Sequence, residues 1–143
     1  MSAEDTMTED TQAEIANIDG TKLLHRLRER VEEGLFAVAE YDAERLNLLY
    51  IDDATREMYP SEEVMHDHFE TIHSYVHVDF AESDLFTDEL FPPAETVEYI
   101  VTAMDFLTIL RVYRGDVGIF LSVSPDEPID PLVEVVRAEL DGE

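Results

Sequence analysis

Four of the chain's five histidines lie between Met65 and His77, in the run MHDHFETIHSYVH. Imidazole both binds transition metals and titrates between about pH 5 and 8, so such a cluster suggests a metal centre or a proton switch. On a helix of 3.6 residues per turn, His66, Glu70, His73 and His77 fall at i, i+4, i+7 and i+11 and form one stripe beside the apolar face. One straight helix brings only two imidazoles to a common ion. His73 and His77 are that pair, His66 continues the stripe as a further candidate ligand, and completion would need Asp79, Glu82 or a second copy of the chain. The ordinary reading of the same stripe is a solvated or interfacial polar face. His68 points elsewhere, beside Val64 and Ile72, and is expected to pack half-buried.

Other groups of residues that could do chemistry each have a plainer explanation. The segment KLLHRLRER gathers Lys22, Arg26, Arg28 and Arg30, four of the nine Lys and Arg, and could dock phosphate or an acidic partner. Glu29 and Glu33 stand at pairing distance along the same helix, which predicts ion pairs within it. Asp52 and Asp53 end a strand without the alternating strand and helix order of a phosphoacceptor domain, and read as a helix-approach turn. The carboxylates of Asp79, Glu82, Asp84, Asp88 and Glu89 lack the glycine turn and ligand order of a calcium loop. Arg114-Gly115-Asp116 reads as a turn. No phosphate-binding glycine loop, nucleophile elbow or paired-histidine zinc motif occurs, so no catalytic residue and no cofactor is expected.

These residues must be positioned by eight elements and one short helix. Leu23, Leu24, Leu27 and Val31 line one face of a first helix, with Gly34 as its expected stop. LFAVAEY and LNLLYI are apolar runs separated by DAER, a hairpin spacing. Ser61 caps a second helix with Met65, Phe69, Ile72 and Val76 inward. A short helix capped by Ser83 and stopped by Pro92 and Pro93 follows. TVEYIVTAM, FLTILRVY and DVGIFLSV read as three consecutive strands, and Asp130 with Pro131 starts a last helix bearing Leu132, Val133, Val136 and Leu140. The first, fourth and fifth strands are apolar at nearly every position, which places them centrally in a sheet covered on both sides. The expectation is a single α+β domain over residues 16–143, after a disordered acidic tail over 1–15.

Charge bounds the environment. Thirty-five Asp and Glu against nine Lys and Arg give a net charge of −26 in a chain that is still 45% apolar. A normal core under an acid-saturated surface with a single lysine fits a halophile's cytoplasm, where salt screens the self-repulsion. Mimicry of nucleic acid is the rival reading. Binding to DNA or RNA is not expected without clustered cations. The absence of cysteine excludes disulfides and thiolate sites, and neither a membrane span nor a leader is expected.

The element order resembles the roadblock/profilin-like arrangement, and DLFTDELFP and FLTILRVYRGDVGIFLSV are similar to segments of small acidic haloarchaeal proteins of unassigned function. The roadblock resemblance implies an antiparallel five-stranded sheet with two helices on one face and one on the other. It also implies a dimeric adaptor or regulator rather than an enzyme. The leading expectation is therefore a non-enzymatic interaction domain, homodimeric through its sheet edge and second helix. The alternatives are a PAS- or GAF-like sensor of a small ligand or transition metal, using a pocket between that helix and the sheet, and metal-dependent hydrolysis at the histidines.

Overall fold

The computed structural model describes residues 12–31 and 33–142. In chain order the elements are α1 (Gly20–Arg30), β1 (Leu35–Tyr41), β2 (Leu46–Ile51), α2 (Asp53–Arg56), α3 (Glu62–Val76), α4 (Asp79–Leu85), β3 (Tyr99–Ala103), β4 (Thr108–Arg114), β5 (Val117–Val123) and α5 (Asp130–Leu140), with a π-helical turn at Phe86–Leu90 directly after α4. The strands form one sheet in the order β2-β1-β5-β4-β3, antiparallel throughout. The three strands with the most continuous apolar runs occupy the three central places, as their two-sided burial requires.

Alternation along each strand divides the core into two layers. Val38, Leu49, Leu110, Val112, Ile119 and Leu121 face α1 and α5, where Leu23, Leu27, Leu132 and Val136 complete a closed apolar core. The opposite face presents Ala37, Ala39, Tyr41, Tyr113 and Phe120 to α3 and α4, which supply Met65, Phe69, Ile72, Val76 and Phe80. The expected three-layer α+β arrangement is therefore present.

Local chemistry accounts for most boundaries. The Asp19 side chain accepts from the Lys22 amide at 3.1 Å at the start of α1, and Ser61 Oγ accepts from the Val64 amide at 3.1 Å at the start of α3. Asp42 turns the β1–β2 hairpin by accepting from the Glu44 and Arg45 amides at 2.9 and 2.7 Å. Asp52 caps α2 through the Thr55 amide at 2.9 Å, so the expected approach turn is itself one helical turn long.

Three boundaries differ from expectation. α1 stops at Arg30, with Val31 already extended, and Gly34 instead uses φ 99° to enter β1. α4 begins at Asp79, without a side-chain cap, so Ser83 lies inside it rather than starting it. α5 includes Asp130 as its first residue, preceded by Ile129, and no side-chain cap is made. Of the expected tail, residues 1–11 lie outside the described residues. Within 12–15, the Glu14 and Ile15 amides donate to the Glu40 carboxylate at 2.5 and 3.0 Å.

Candidate functional site

The histidines of α3 separate into different environments. His73 is buried, and its Nε2 donates to the Asp42 carbonyl oxygen at 2.8 Å, tying α3 to the β1–β2 hairpin. His68 is exposed, with Nδ1 2.6 Å from the Tyr59 hydroxyl. The expected placements of these two are thus reversed. His73 lies four residues after Phe69 and inside the buried stripe, whereas His68 sits on the flank that looks toward the segment after α2. His77 follows α3 with its ring 5.7 Å from that of His73, and His66 is exposed. Among the described residues no three His, Asp or Glu side chains are grouped to hold a metal ion. The Nε2 atom of His73 is already committed to the backbone.

Beneath α3 and α4 lies a buried polar network that the sequence did not suggest. In register, Gly118 of β5 stands between Tyr41 of β1 and Tyr113 of β4. A Cβ at Gly118 would come 2.8 Å from the Tyr113 ring and 3.0 Å from that of Tyr41. The missing side chain lets the two rings meet edge to face, centroids 6.0 Å apart, with their hydroxyls hydrogen-bonded. Tyr113 donates to Asp79 Oδ2, so its oxygen accepts from Tyr41. Arg111 Nε donates to the same carboxylate oxygen at 2.8 Å, and Arg111 Nη1 donates to Thr102 Oγ1 at 2.8 Å. Burial pushes both tyrosine hydroxyls far above the ordinary phenol range, with the nearby Asp79 charge adding to it. Although burial opposes its charge, Arg111 is held above its ordinary range by Asp79. The Asp79 carboxylate thus fastens the start of α4 to β4, and Tyr113 and Arg111 carry the network on to β1 and β3.

A second buried carboxylate, Glu40, lies on the opposite face. It accepts from the Glu14, Ile15 and Ala16 amides and from Asn47 Nδ2 at 2.8 Å, which binds the segment before α1 across β1 and β2. In α1 the cations pair with α5 rather than chiefly within the helix. Arg26 Nη1 donates to Glu139 at 2.5 Å, Lys22 Nζ is 3.8 Å from the same oxygen, and Arg28 lies over the Tyr50 ring. Glu29 instead faces His25 at 3.8 Å. The acidic run divides as well: Asp79 is buried, while Glu82, Asp84, Asp88 and Glu89 are exposed. Arg114-Gly115-Asp116 is the β4–β5 turn, with Gly115 at φ 61°.

Two surfaces remain open. Among the described residues β3 pairs only with β4, and its residues are largely exposed, including Tyr99 and Val101, with Met104 and Phe106 exposed just beyond it. Between α3 and the sheet lies a recess of about 400 Å³ lined mainly by apolar side chains, among them Ala37, Phe69, Ile72 and Phe120.

The arrangement of five antiparallel strands with α1 and α5 on one face and α3 on the other has a match among solved structures. The gliding protein MglB of Thermus thermophilus superposes with a TM-score of 0.56, covering 85% of this chain and 84% of that one at 12% sequence identity. The fold is roadblock-like. No family model matches the chain. Nor does any curated protein. The roadblock-like likeness is thus one of backbone architecture, and it corresponds to the arrangement that the element order implied. No helix among the described residues is long and apolar enough to cross a membrane.

Proposed function

We propose that this chain is a non-enzymatic protein-interaction domain with a regulatory role, working as a homodimer in a high-salt cytoplasm. The observation that carries the reading is the edge of β3, where Tyr99 and Val101 remain exposed in a strand that, among the described residues, has a partner on one side only. An uncovered edge offers a row of backbone donors and acceptors to another chain, and its apolar side chains favour that pairing. Antiparallel addition of β3 to β3 would extend the sheet across two copies. The net charge of −26 supports the saline setting. At about 1 M salt the Debye length falls to about 3 Å, so two such surfaces can approach.

Light scattering in multi-molar KCl should give twice the chain mass of 16.4 kDa. Val101→Arg, which puts a charge on the free edge, should give the monomer with an unchanged circular dichroism spectrum. A monomeric wild-type protein at every concentration would remove the proposal, and a dimer untouched by Val101→Arg would move the interface away from β3.

A further inference from the structure

The recess beside α3 owes its depth to small side chains on the sheet: Ala37 of β1 and Ser122 of β5 form part of its floor. Phe69 and Ile72 of α3 wall one side. Met58 and Phe106, each 69% exposed, stand among the lining residues and mark its opening. A volume of about 400 Å³ lies within the range of about 300–1,000 Å³ occupied by small-molecule sites. Water in so apolar a space finds few hydrogen-bond partners, so filling it with apolar matter is favourable at about 25 cal/mol per Å² removed from water.

The few polar groups define what can enter. Among the described residues the recess has no Lys or Arg in its lining, and Asp52, its one carboxylate there, is engaged in capping α2. A ligand anion would meet no counter-charge there and would sit in the field of a chain of net charge −26. Tyr59 and His68 both line the recess and are joined at 2.6 Å through His68 Nδ1. When the Tyr59 hydroxyl donates to Nδ1, the neutral ring carries its proton on Nε2, which is then a donor for a ligand oxygen.

We propose that this recess is a binding site for a neutral, largely aromatic small molecule bearing one acceptor oxygen, its ring against Phe69 and Ile72 and its oxygen hydrogen-bonded to His68. The site is independent of the β3 edge and stands or falls apart from the homodimer.

The test uses the full chain in multi-molar KCl with N-phenyl-1-naphthylamine, a neutral aromatic probe whose emission rises in apolar surroundings. One probe per chain is expected to bind, and 2-acetylnaphthalene should displace it at a concentration at least tenfold lower than 2-naphthoate, which has the same skeleton with a charge. Ser122→Leu and Ala37→Leu fill the floor and should each weaken probe binding at least tenfold, whereas Val101→Arg should leave it unchanged. Because a filled floor can disturb folding, nuclear Overhauser contacts from 2-acetylnaphthalene to the His68 and Ile72 protons of the wild-type protein are measured as well. Absence of these contacts, displacement by 2-naphthoate as effective as by the ketone, or undiminished binding in both folded Leu variants would overturn the proposal. Dissociation of a dimer on adding the probe would also overturn it, since a second copy would then fill the recess.

Discussion

Asp79 is the residue whose loss the structure makes most costly. Asp79 and Arg111 are only 7% and 8% exposed, and the carboxylate accepts from both Arg111 Nε and the Tyr113 hydroxyl. Asp79→Ala leaves a buried guanidinium without its counter-ion and a buried hydroxyl without its acceptor. Removing one partner of such a pair costs about 3–5 kcal/mol. For a chain of this size each kcal/mol lowers the melting temperature by about 3 °C, giving a loss of about 9–15 °C. The Arg114–Asp141 pair provides the internal contrast, with the same 2.8 Å contact but side chains 34% and 42% exposed. Asp141→Ala should cost about 1 kcal/mol or less at low salt and nothing measurable in multi-molar KCl, because exposed pairs are screened. The Asp79 penalty should persist at high salt, since its surroundings exclude the ions. Asp79→Leu combined with Arg111→Met should recover most of the loss by removing both charges together. Calorimetry across a KCl series measures all three variants. An Asp79→Ala loss below about 1 kcal/mol, or one that fades with salt as the Asp141 loss does, would refute the claim that this pair is a dry anchor for α4.

Gly118→Ala should lower stability by about 1–3 kcal/mol, read by chemical denaturation, because its Cβ would meet the Tyr113 ring at 2.8 Å and force the tyrosine pair apart. In an alkaline titration followed at 295 nm, two of the six tyrosines should ionise only as the protein unfolds. Burial raises Tyr41 and Tyr113 in the folded state, so the unfolded chain loses protons first and stability falls as pH rises past about 10. Glu40→Ala should leave the amides of Glu14, Ile15 and Ala16 without their acceptor. Hydrogen exchange at those amides should accelerate at least tenfold while exchange in α5 stays unchanged.

Much of the architecture was legible because its signals are short-ranged. Helical stripes such as Met65, Phe69, Ile72 and Val76, and uninterrupted apolar runs such as VGIFLSV, identify which side of each element is buried. The central positions of β1, β4 and β5 followed from their burial on both faces. Caps were less legible: Ser61 makes the one expected of it, but Ser83 lies inside α4 and Asp130 is the first residue of α5, each helix being preceded by a residue without a capping side chain. The histidines show the angular limit of the argument. Each helical residue turns the chain by about 100°, so a modest rotation of α3 exchanges which of His68 and His73 meets the sheet.

The candidate sites depend on distances that no local pattern encodes. Asp79 reaches Arg111 and Tyr113 across separations of 32 and 34 residues, and the tyrosine pair closes over Gly118 because the register places that glycine between them. The recess has floor residues from β1 and β5 that become neighbours only when the sheet forms. By itself the sequence determined the acid-rich surface, the element types and the three strands that must be central, because charge count and hydrophobic period are properties of the unpaired chain. The tertiary structure alone decided which histidine is buried, which carboxylates become anchors and which edge stays open, because those outcomes depend on register and on the volume left between packed faces.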